Sequence, residues 1–317
     1  MPLDDDVRAY LEQLHGETPP EPWEVSLDAA REAIRTPHLE RAQRTPVGAV
    51  RDASVPGPAG AIPVRIYTPA VPGPHPCVVW LHGGGFVLGD LDTHDEAARR
   101  ACRSAEATVV SVDYRRAPEA PFPAAVEDSV AATRAVLDRA DAWGIDADRV
   151  VVAGNSAGGN LAAVVARRLR DEEGPALAGQ ALIYPVTDLR EATYPSRREN
   201  GEGYGLTQEA MDWFARQYVR SAEEAAHPDA SPLLAHSLAD LPPAFVLTAE
   251  YDPLRDEGDA YARRLAEEGV DVRHLQLHGT VHGVLTAEPP FRSTHAAWDA
   301  LAQWLRMRFQ VDAPSPS

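Results

Sequence analysis

Apolar and polar residues alternate along this chain in two periods, one typical of buried strands and one typical of helices. The predicted strands from residue 76 onward are Pro76–Leu81, Thr108–Val112, Arg149–Ala153, Gln180–Tyr184, Ala244–Thr248 and Val272–Leu277. The predicted helices that alternate with them are Thr93–Ala105, Ala124–Trp143, Ser156–Arg170, Asp256–Glu268 and Ala296–Phe309. This alternation predicts an α/β fold with a mostly parallel sheet and helices on both faces.

The first part of the chain follows a different pattern. It predicts two charged helices, Asp4–His15 and Ser26–Arg44, which a proline-rich segment separates. Ser26 stands at the position of an N-cap, where its side chain would accept a hydrogen bond from the first turn. Residues 49–68 then alternate with the period of strands. The tail, residues 312–317, carries neither pattern and predicts disorder.

A long segment between Pro185 and Leu241 interrupts the strand–helix alternation. It contains prolines, glycines, charges and one helical pattern that includes Met211, Trp213, Phe214 and Tyr218. One interpretation is an exposed helix with an aromatic contact face. The other is a cap that supplies apolar walls to a site, and the position of the insertion directly after a sheet strand favours it.

Charge limits the partners of this 317-residue chain, whose formal net charge is −18. All 30 basic residues are arginine. The negative balance argues against nucleic acid and anionic membrane surfaces as partners. It also disfavours strongly anionic substrates, although the local charge of a site can override the field of the whole chain.

Cysteine usage and apolar runs limit the class further. Cys77 and Cys102 have no metal-binding spacing, and we expect neither a metal nor an organic cofactor. The N-terminal residues lack the basic and apolar regions of a signal peptide. No segment approaches 18 consecutive apolar residues, so we expect no stable membrane insertion and a cytoplasmic location.

The most informative segment joins the apolar run 149–153 to the alanine-rich helix that follows it. It reads Gly154-Asn155-Ser156-Ala157-Gly158, the Gly-x-Ser-x-Gly pattern of a nucleophile elbow. Such an elbow holds a serine on a sharp strand-to-helix turn, and the two glycines let strand and helix approach closely. Ser156 is therefore the predicted nucleophile.

A glycine-rich loop upstream supplies a second signal. Residues 80–86 read Trp-Leu-His-Gly-Gly-Gly-Phe and follow an apolar run. Loops of this type donate backbone N–H groups to an oxyanion hole. The predicted donors are Gly84, Gly85 and Ala157, the residue after the nucleophile. His82 resembles a base, but we expect it to hold the glycine loop by hydrogen bonding.

An acid and a base complete the predicted chemistry, because a serine needs a neighbouring base and the base needs an orienting carboxylate. His282, after the last predicted strand, is the expected base, with His278 as the alternative. Asp252 is the expected carboxylate. Asp256 is its local rival, although a helix-capping role would explain Asp256, and Glu250 is a neighbouring supporting group. The order serine, aspartate, histidine is that of α/β hydrolases.

Together these stretches resemble the hormone-sensitive-lipase-like carboxylesterases of the α/β-hydrolase fold. The matching segments are His82–Gly89, Val112–Glu119, Gly154–Leu161, Ser231–Ala235, Asp252–Glu257 and His282-Gly283. Two positions depart from the usual pattern of the family. Asn155 replaces a commoner aspartate, and Val284 replaces a frequent phenylalanine.

The resemblance implies an eight-stranded sheet and the hydrolysis of short- to medium-chain acyl esters by Ser156, Asp252 and His282. It implies a catalytic domain over 49–184 and 242–312, and a helical cap from residues 1–48 and 185–241. We expect a small neutral ester as substrate and a pocket that includes Phe86, Trp213 and Phe214. The resemblance is also compatible with a homodimer.

Other reactions and roles stay open at this point. The same groups would serve a lactone, an amide or a thioester, or an elimination. Plant hormone receptors of this fold bind ligands without turnover, but they lack the triad histidine that His282 supplies here.

Overall fold

An eight-stranded sheet forms the centre of the protein. The computed structural model describes residues 1–17, 20–190, 194–288 and 290–310, so the predicted disordered tail lies outside the described residues. The strands are β1 (Ala49–Gly57), β2 (Gly60–Thr68), β3 (His75–Leu81), β4 (Thr108–Val112), β5 (Ile145–Asn155), β6 (Gly179–Ile183), β7 (Ala244–Tyr251) and β8 (Val272–Val281). Their order is β1-β2-β4-β3-β5-β6-β7-β8. The pairs β1–β2 and β2–β4 are antiparallel and all other neighbours are parallel, which confirms the mostly parallel sheet.

Helices cover both faces of this sheet. Those in the described residues are α1 (Asp5–Glu17), α2 (Leu27–Leu39), α3 (Asp95–Ala105), α4 (Ala124–Asp138), α5 (Ala157–Asp171), α6 (Pro195–Glu199), α7 (Gln208–Tyr218), α8 (Ala222–Ala225), α9 (Arg255–Glu267) and α10 (Arg292–Phe309). Apolar residues of α4, α5 and α9 pack on one face of the sheet. Those of α1, α3 and α10 pack on the other face.

The central strands are mostly apolar because both of their faces are covered. In β3, Val79 and Leu81 lie in one core cluster, and Val78 and Trp80 lie in the other. All four side chains are fully buried. Successive side chains of a strand point to opposite faces, so a strand between two helical layers needs a continuous apolar run.

The second helix is shorter than its pattern predicts. Ser26 caps it as expected, since its hydroxyl accepts a hydrogen bond from the N–H of Ala29 at 3.3 Å. The helix ends at Leu39 rather than at residue 44, two residues after Pro37. A proline inside a helix removes one hydrogen bond and crowds the preceding turn. The chain then turns so that Arg44 forms an ion pair with Asp95 of α3 at 2.9 Å.

Other elements also differ from the sequence pattern. The helix predicted to reach Trp143 ends at Asp138, and a separate 3₁₀ turn leads to Gly144, whose φ of +66° favours glycine. Strand β8 continues to Val281, four residues past its predicted end. The insertion after β6 predicts one helix, and its described residues form α6, α7 and α8.

The N-terminal segment contacts both the catalytic-domain loops and the insertion. The Arg31 guanidinium on α2 donates to the carbonyl of Val87, in the loop after β3, at 3.0 Å. Trp23 lies 6.3 Å, between ring centroids, from Trp213 on α7. The assignment of residues 1–48 and 185–241 to one cap stays a prediction, and the contact between Trp23 and Trp213 joins these two segments.

The carboxyl ends of β3, β5, β7 and β8 meet at one edge of the sheet, because these strands run parallel. The glycine loop follows β3, Ser156 follows β5, Asp252 follows β7 and His282 follows β8. Ligand sites of α/β sheets form at this edge. Among the helices of the described ranges, none has the length and apolar character needed to cross a bilayer.

Candidate active site

Ser156 lies on a tight turn between β5 and α5. Its backbone has φ +55° and ψ −120°, a conformation that non-glycine residues rarely adopt. A Cβ on Gly154 would lie 2.3 Å from the carbonyl oxygen of Gly158, and a Cβ on Gly158 would lie 2.0 Å from that of Leu81. Both glycines are therefore required by close backbone approach, as the sequence pattern predicts.

Two hydrogen bonds connect Ser156, His282 and Asp252. The Nε2 atom of His282 lies 3.1 Å from the Ser156 Oγ, and its Nδ1 lies 2.7 Å from Asp252 Oδ2. Asp252 is fully buried, and its Oδ1 accepts the backbone N–H of Leu254 at 2.8 Å. The ring of Tyr184 packs edge-on against the imidazole with centroids 4.7 Å apart. The structure thus brings together the three side chains that the sequence singled out.

The alternative base and acids lie elsewhere. His278 lies inside β8, is exposed, and places its Nδ1 3.3 Å from Glu250 Oε2. Glu250 also accepts the backbone N–H of Gly279 at 2.8 Å. Asp256 does not cap α9. Its carboxylate instead accepts the N–H of Ser196 in α6 at 2.8 Å, which corrects the helix-capping explanation.

The loop after β3 turns its backbone toward the nucleophile. Gly84 has φ +111° and Gly85 has φ +61°. The carbonyl oxygen of Gly84 accepts the N–H groups of Val87 and Leu88, at 3.1 and 2.8 Å. Within the part of the chain that the structure describes, the N–H groups of Gly84, Gly85 and Ala157 donate no hydrogen bond. Two unused donors in this loop and one at the N-terminus of α5 suit a developing oxyanion.

Two buried histidines stabilise this loop. The rings of His82 and Tyr114 stack with centroids 4.1 Å apart, and His82 Nδ1 lies 2.9 Å from the carbonyl oxygen of Gly83. The Gly83 N–H is shared between His94 Nε2 at 3.2 Å and Asn155 Oδ1 at 3.1 Å. Burial lowers the pKa of both histidines to about 3. A neutral His94 can accept the Gly83 proton through Nε2, which a protonated ring could not.

Sequence reasoning found the structural role of His82 but missed those of His94 and Asn155. Asn155 was noted as a departure from the family pattern, and its carboxamide oxygen is the acceptor that joins β5 to the glycine loop. His94 precedes α3 and carries no motif of its own. The sole sequence signal for it is its short distance along the chain from the glycine loop.

A cavity of about 1170 Å³ opens beside these groups, and Gly84, Gly85, Ser156 and His282 lie on its wall. The apolar lining that the insertion contributes includes Leu189, Leu206, Met211, Phe214 and Val219. The described residues contain no group of three or more histidines, cysteines, aspartates or glutamates placed to hold a metal ion.

The aromatic residues predicted for the pocket separate into two groups. Phe86 and Phe214 line the cavity, whereas Trp213 is not among its described lining residues. Trp213 packs against Trp23 and against the neighbouring Phe214 ring. Adjacent helix positions point about 100° apart, so a helix presents one of the two rings to the cavity and the other to the N-terminal segment. The expectation that Trp213 lines the pocket is therefore wrong.

Comparison with known proteins follows this geometry. The family described as alpha/beta hydrolase fold matches residues 78–286, a range that includes every candidate catalytic residue. The carboxylic ester hydrolase LipN of Mycobacterium tuberculosis is 48% identical over 242 residues, which are 74% of this chain and 64% of LipN. The esterase LipI of the same organism is 45% identical over 271 residues, which are 83% of each chain.

A solved structure agrees over nearly the full length. The hyperthermophilic esterase of the archaeon Pyrobaculum calidifontis superimposes with a TM-score of 0.93 at 41% identity, covering 97% of this chain and 99% of that one. The chain belongs to the esterase family of the α/β-hydrolase fold. This membership confirms the fold class and the family that the sequence motifs indicated, and it accounts for the elbow, the glycine loop and the order of the three side chains.

Proposed function

We propose that this member of the esterase family hydrolyses short- to medium-chain acyl esters through an acyl-enzyme intermediate. In this proposal Ser156 is the nucleophile, His282 is the general base and acid, and Asp252 orients the imidazole. The observation that carries the proposal is the unbroken hydrogen-bond path from buried Asp252 through His282 to Ser156, at the wall of a large cavity.

In the first step, the Ser156 oxygen attacks the ester carbonyl carbon while His282 Nε2 takes the hydroxyl proton. Asp252 accepts a hydrogen bond from the Nδ1–H group, so it selects the tautomer with a free Nε2 and stabilises the imidazolium that forms. The carbonyl oxygen gains negative charge and is received by the N–H groups of Gly84, Gly85 and Ala157. The C–O bond to the alcohol then breaks, and His282 gives that alcohol its proton.

In the second step, water replaces the alcohol. His282 removes a proton from the water as its oxygen attacks the acyl carbon, and the same three N–H groups receive the second oxyanion. The bond to Ser156 breaks, the serine oxygen recovers the proton from His282, and the acid leaves.

The position of Phe214 supports a limit on the acyl chain. A Cβ built on Gly85 would lie 2.3 Å from this ring, so the ring packs directly on the glycine loop. The ring therefore blocks the space directly beside the loop, and an acyl chain that extends past the loop would lie along the face of the Phe214 ring. Together with Phe86, Phe214 provides apolar contact for a few methylene groups near the reacting carbonyl.

Hydrolysis of 4-nitrophenyl esters with acyl chains of two to twelve carbons tests the proposal, with the wild type and Ser156→Ala compared. We expect the highest kcat/KM at short or medium chains and no hydrolysis above background in the variant. An organophosphate should also label the wild type and leave Ser156→Ala unlabelled. Equal activity in the two proteins, or no turnover of any ester by the wild type, would refute the assignment.

A further inference from the structure

The charge balance of the catalytic cavity is opposite to that of the chain. The whole protein has 30 basic and 48 acidic residues. The described lining of the cavity instead contains a single carboxylate, Asp212, and five arginines. These arginines, all in the insertion after β6, are Arg190, Arg197, Arg198, Arg216 and Arg220.

Three of the five arginines already have carboxylate partners. The pairs are Arg190–Asp188 at 2.8 Å, Arg197–Glu257 at 2.7 Å and Arg220–Glu224 at 2.6 Å. Asp188 and Glu257 are fully buried, so the guanidinium groups opposite them serve to neutralise buried carboxylates. Each of these three guanidinium groups thus has a carboxylate partner that balances its charge.

The other two, Arg198 on α6 and Arg216 on α7, have no carboxylate partner in the part of the chain that the structure describes. Both are exposed and line the cavity, which places them at its mouth. Asp212 lies one helical turn before Arg216, the usual spacing for an ion pair. Its carboxylate instead accepts a hydrogen bond from the amide of Gln208 at 2.7 Å and forms no direct ion pair with the Arg216 guanidinium.

We propose that Arg198 and Arg216 bind a carboxylate carried by the substrate. The preferred substrates are then esters with a second, free carboxylate, such as monoesters of short dicarboxylic acids. A guanidinium group matches a carboxylate in shape and donates two parallel hydrogen bonds to it. This inference rests on the proposed esterase function, and it replaces the expectation of a small neutral ester.

The apolar walls of the cavity fit the same class of substrate. Leu206 and Met211 line the same cavity as Ser156 and His282. A chain of methylene groups that separates the reacting ester from the distant carboxylate would contact such side chains. The negative net charge of the protein repels anions at long range, but salt screens this repulsion beyond about 8 Å at physiological ionic strength. At the mouth of the cavity, the nearby arginines therefore contribute most to the electrostatic potential that a substrate anion meets.

A matched pair of substrates tests the inference: monoethyl adipate and the corresponding primary amide, which has the same shape and no charge. Hydrolysis is followed by titration of the released acid. We expect kcat/KM for the anion to exceed that for the amide by about 3- to 10-fold at low salt, with the ratio falling as sodium chloride is added. A ratio of one or less in the wild type would overturn the inference.

Arginine variants locate the effect. Arg198→Gln and Arg216→Gln should each lower the ratio, and the double variant should bring it close to one. Arg263→Gln removes the same charge from an exposed position on α9 outside the cavity lining, and it should leave the ratio at the wild-type value. A double variant that keeps the wild-type ratio would overturn the assignment to these two arginines.

A third substrate separates this inference from the proposed function. If 4-nitrophenyl butyrate is hydrolysed but neither adipate derivative is, the esterase proposal stands and the dicarboxylate preference is wrong. If none of the three is hydrolysed, the esterase proposal itself fails, and the inference fails with it.

Discussion

Replacement of Asp252 by asparagine tests how the buried carboxylate acts. In the native protein Oδ2 accepts a hydrogen bond from the His282 Nδ1–H group at 2.7 Å, and Oδ1 accepts one from the Leu254 N–H at 2.8 Å. Asparagine has one oxygen acceptor and one amide donor. The backbone N–H of Leu254 can only donate, so the oxygen must face it and the NH₂ group must face His282.

This orientation places an N–H donor opposite Nδ1 and holds the imidazole in the tautomer with its proton on Nε2. That nitrogen can no longer take the Ser156 proton. The opposite amide orientation leaves two buried donors facing each other and costs about 1–3 kcal/mol. Loss of the charged hydrogen bond that stabilises the imidazolium costs a further 1.5–3 kcal/mol or so.

Together these losses are about 2.5–6 kcal/mol, which corresponds to a reduction in kcat/KM of roughly 10² to 10⁴. Comparable substitutions in other serine triads reach about 10⁴. We therefore expect Asp252→Asn to reduce kcat/KM by a factor near the upper end of that range, measured with 4-nitrophenyl butyrate at pH 7.5. Its thermal unfolding midpoint should be close to that of the wild type.

Asp256→Asn is the matched control, since it makes the same chemical change four residues away. Its carboxylate accepts the Ser196 N–H and pairs with Arg255, and it has no contact with His282. We expect its kcat/KM to stay within about threefold of the wild type. A loss under tenfold for Asp252→Asn, with a larger loss for Asp256→Asn, would refute the reasoning and assign the orienting role to the other carboxylate.

Three further predictions concern the cavity, the elbow and the buried histidines. Phe214→Ala should shift the preferred acyl chain to a greater length, because that ring lines the cavity. Trp213→Ala should leave the chain-length profile unchanged and lower the thermal unfolding midpoint, because that ring packs on Trp23. Equal chain-length profiles for the two variants would contradict the assignment. Gly158→Ala should lower the thermal unfolding midpoint by several degrees, because the added Cβ would lie 2.0 Å from a backbone oxygen. Gly16→Ala should not lower it, because the added Cβ would have no atom within 4 Å and the residue lies in a helix. Calorimetry measures both midpoints. Burial lowers the pKa of His94 to about 3 in the folded protein, whereas the unfolded chain binds this proton near pH 6.5. The stability that the neutral ring contributes above pH 6.5 is therefore lost as the pH falls toward 3. In urea unfolding from pH 7 to 4, the free energy of unfolding of His94→Gln should fall less steeply with decreasing pH than that of the wild type, by up to about 1.4 kcal/mol per pH unit. Parallel plots of unfolding free energy against pH for the two proteins would contradict this prediction.

Local sequence was sufficient wherever one short segment carries its own physical requirement. The elbow could be recognised because Gly154 and Gly158 are the positions at which a side chain would collide with backbone. The N-cap of α2 could be recognised because Ser26 satisfies an N–H only three residues away. The apolar run of β3 predicted a strand buried on both faces for a similar reason, since residues 77–81 are all buried and leave no polar position in that run.

Residues that act across the fold were less accessible. His94 could not be found from sequence because its partner, the Gly83 N–H, is reached only when the loop before α3 folds back on the glycine turn. Trp213 and Phe214 look equivalent in the helical pattern, and the docking of α7 decides which ring faces the cavity. That Arg198 and Arg216 have no carboxylate partner among the described residues likewise depends on which carboxylates the folded chain places beside the other arginines.

The sequence by itself predicted the alternation of strands and helices in the sheet region, the candidate nucleophile and the glycine loop, because these depend on side-chain period and on backbone sterics within a few residues. Only the tertiary structure distinguishes the contacts of His282 from those of His278, and the contacts of Asp252 from those of Asp256, since the members of each pair lie within a few residues of each other and differ in what they reach in space. Nδ1 of His282 lies 2.7 Å from Asp252, whereas His278 and Asp256 contact other groups. Hydrogen bonds act over about 3 Å, and separation along the chain does not specify distance at that scale.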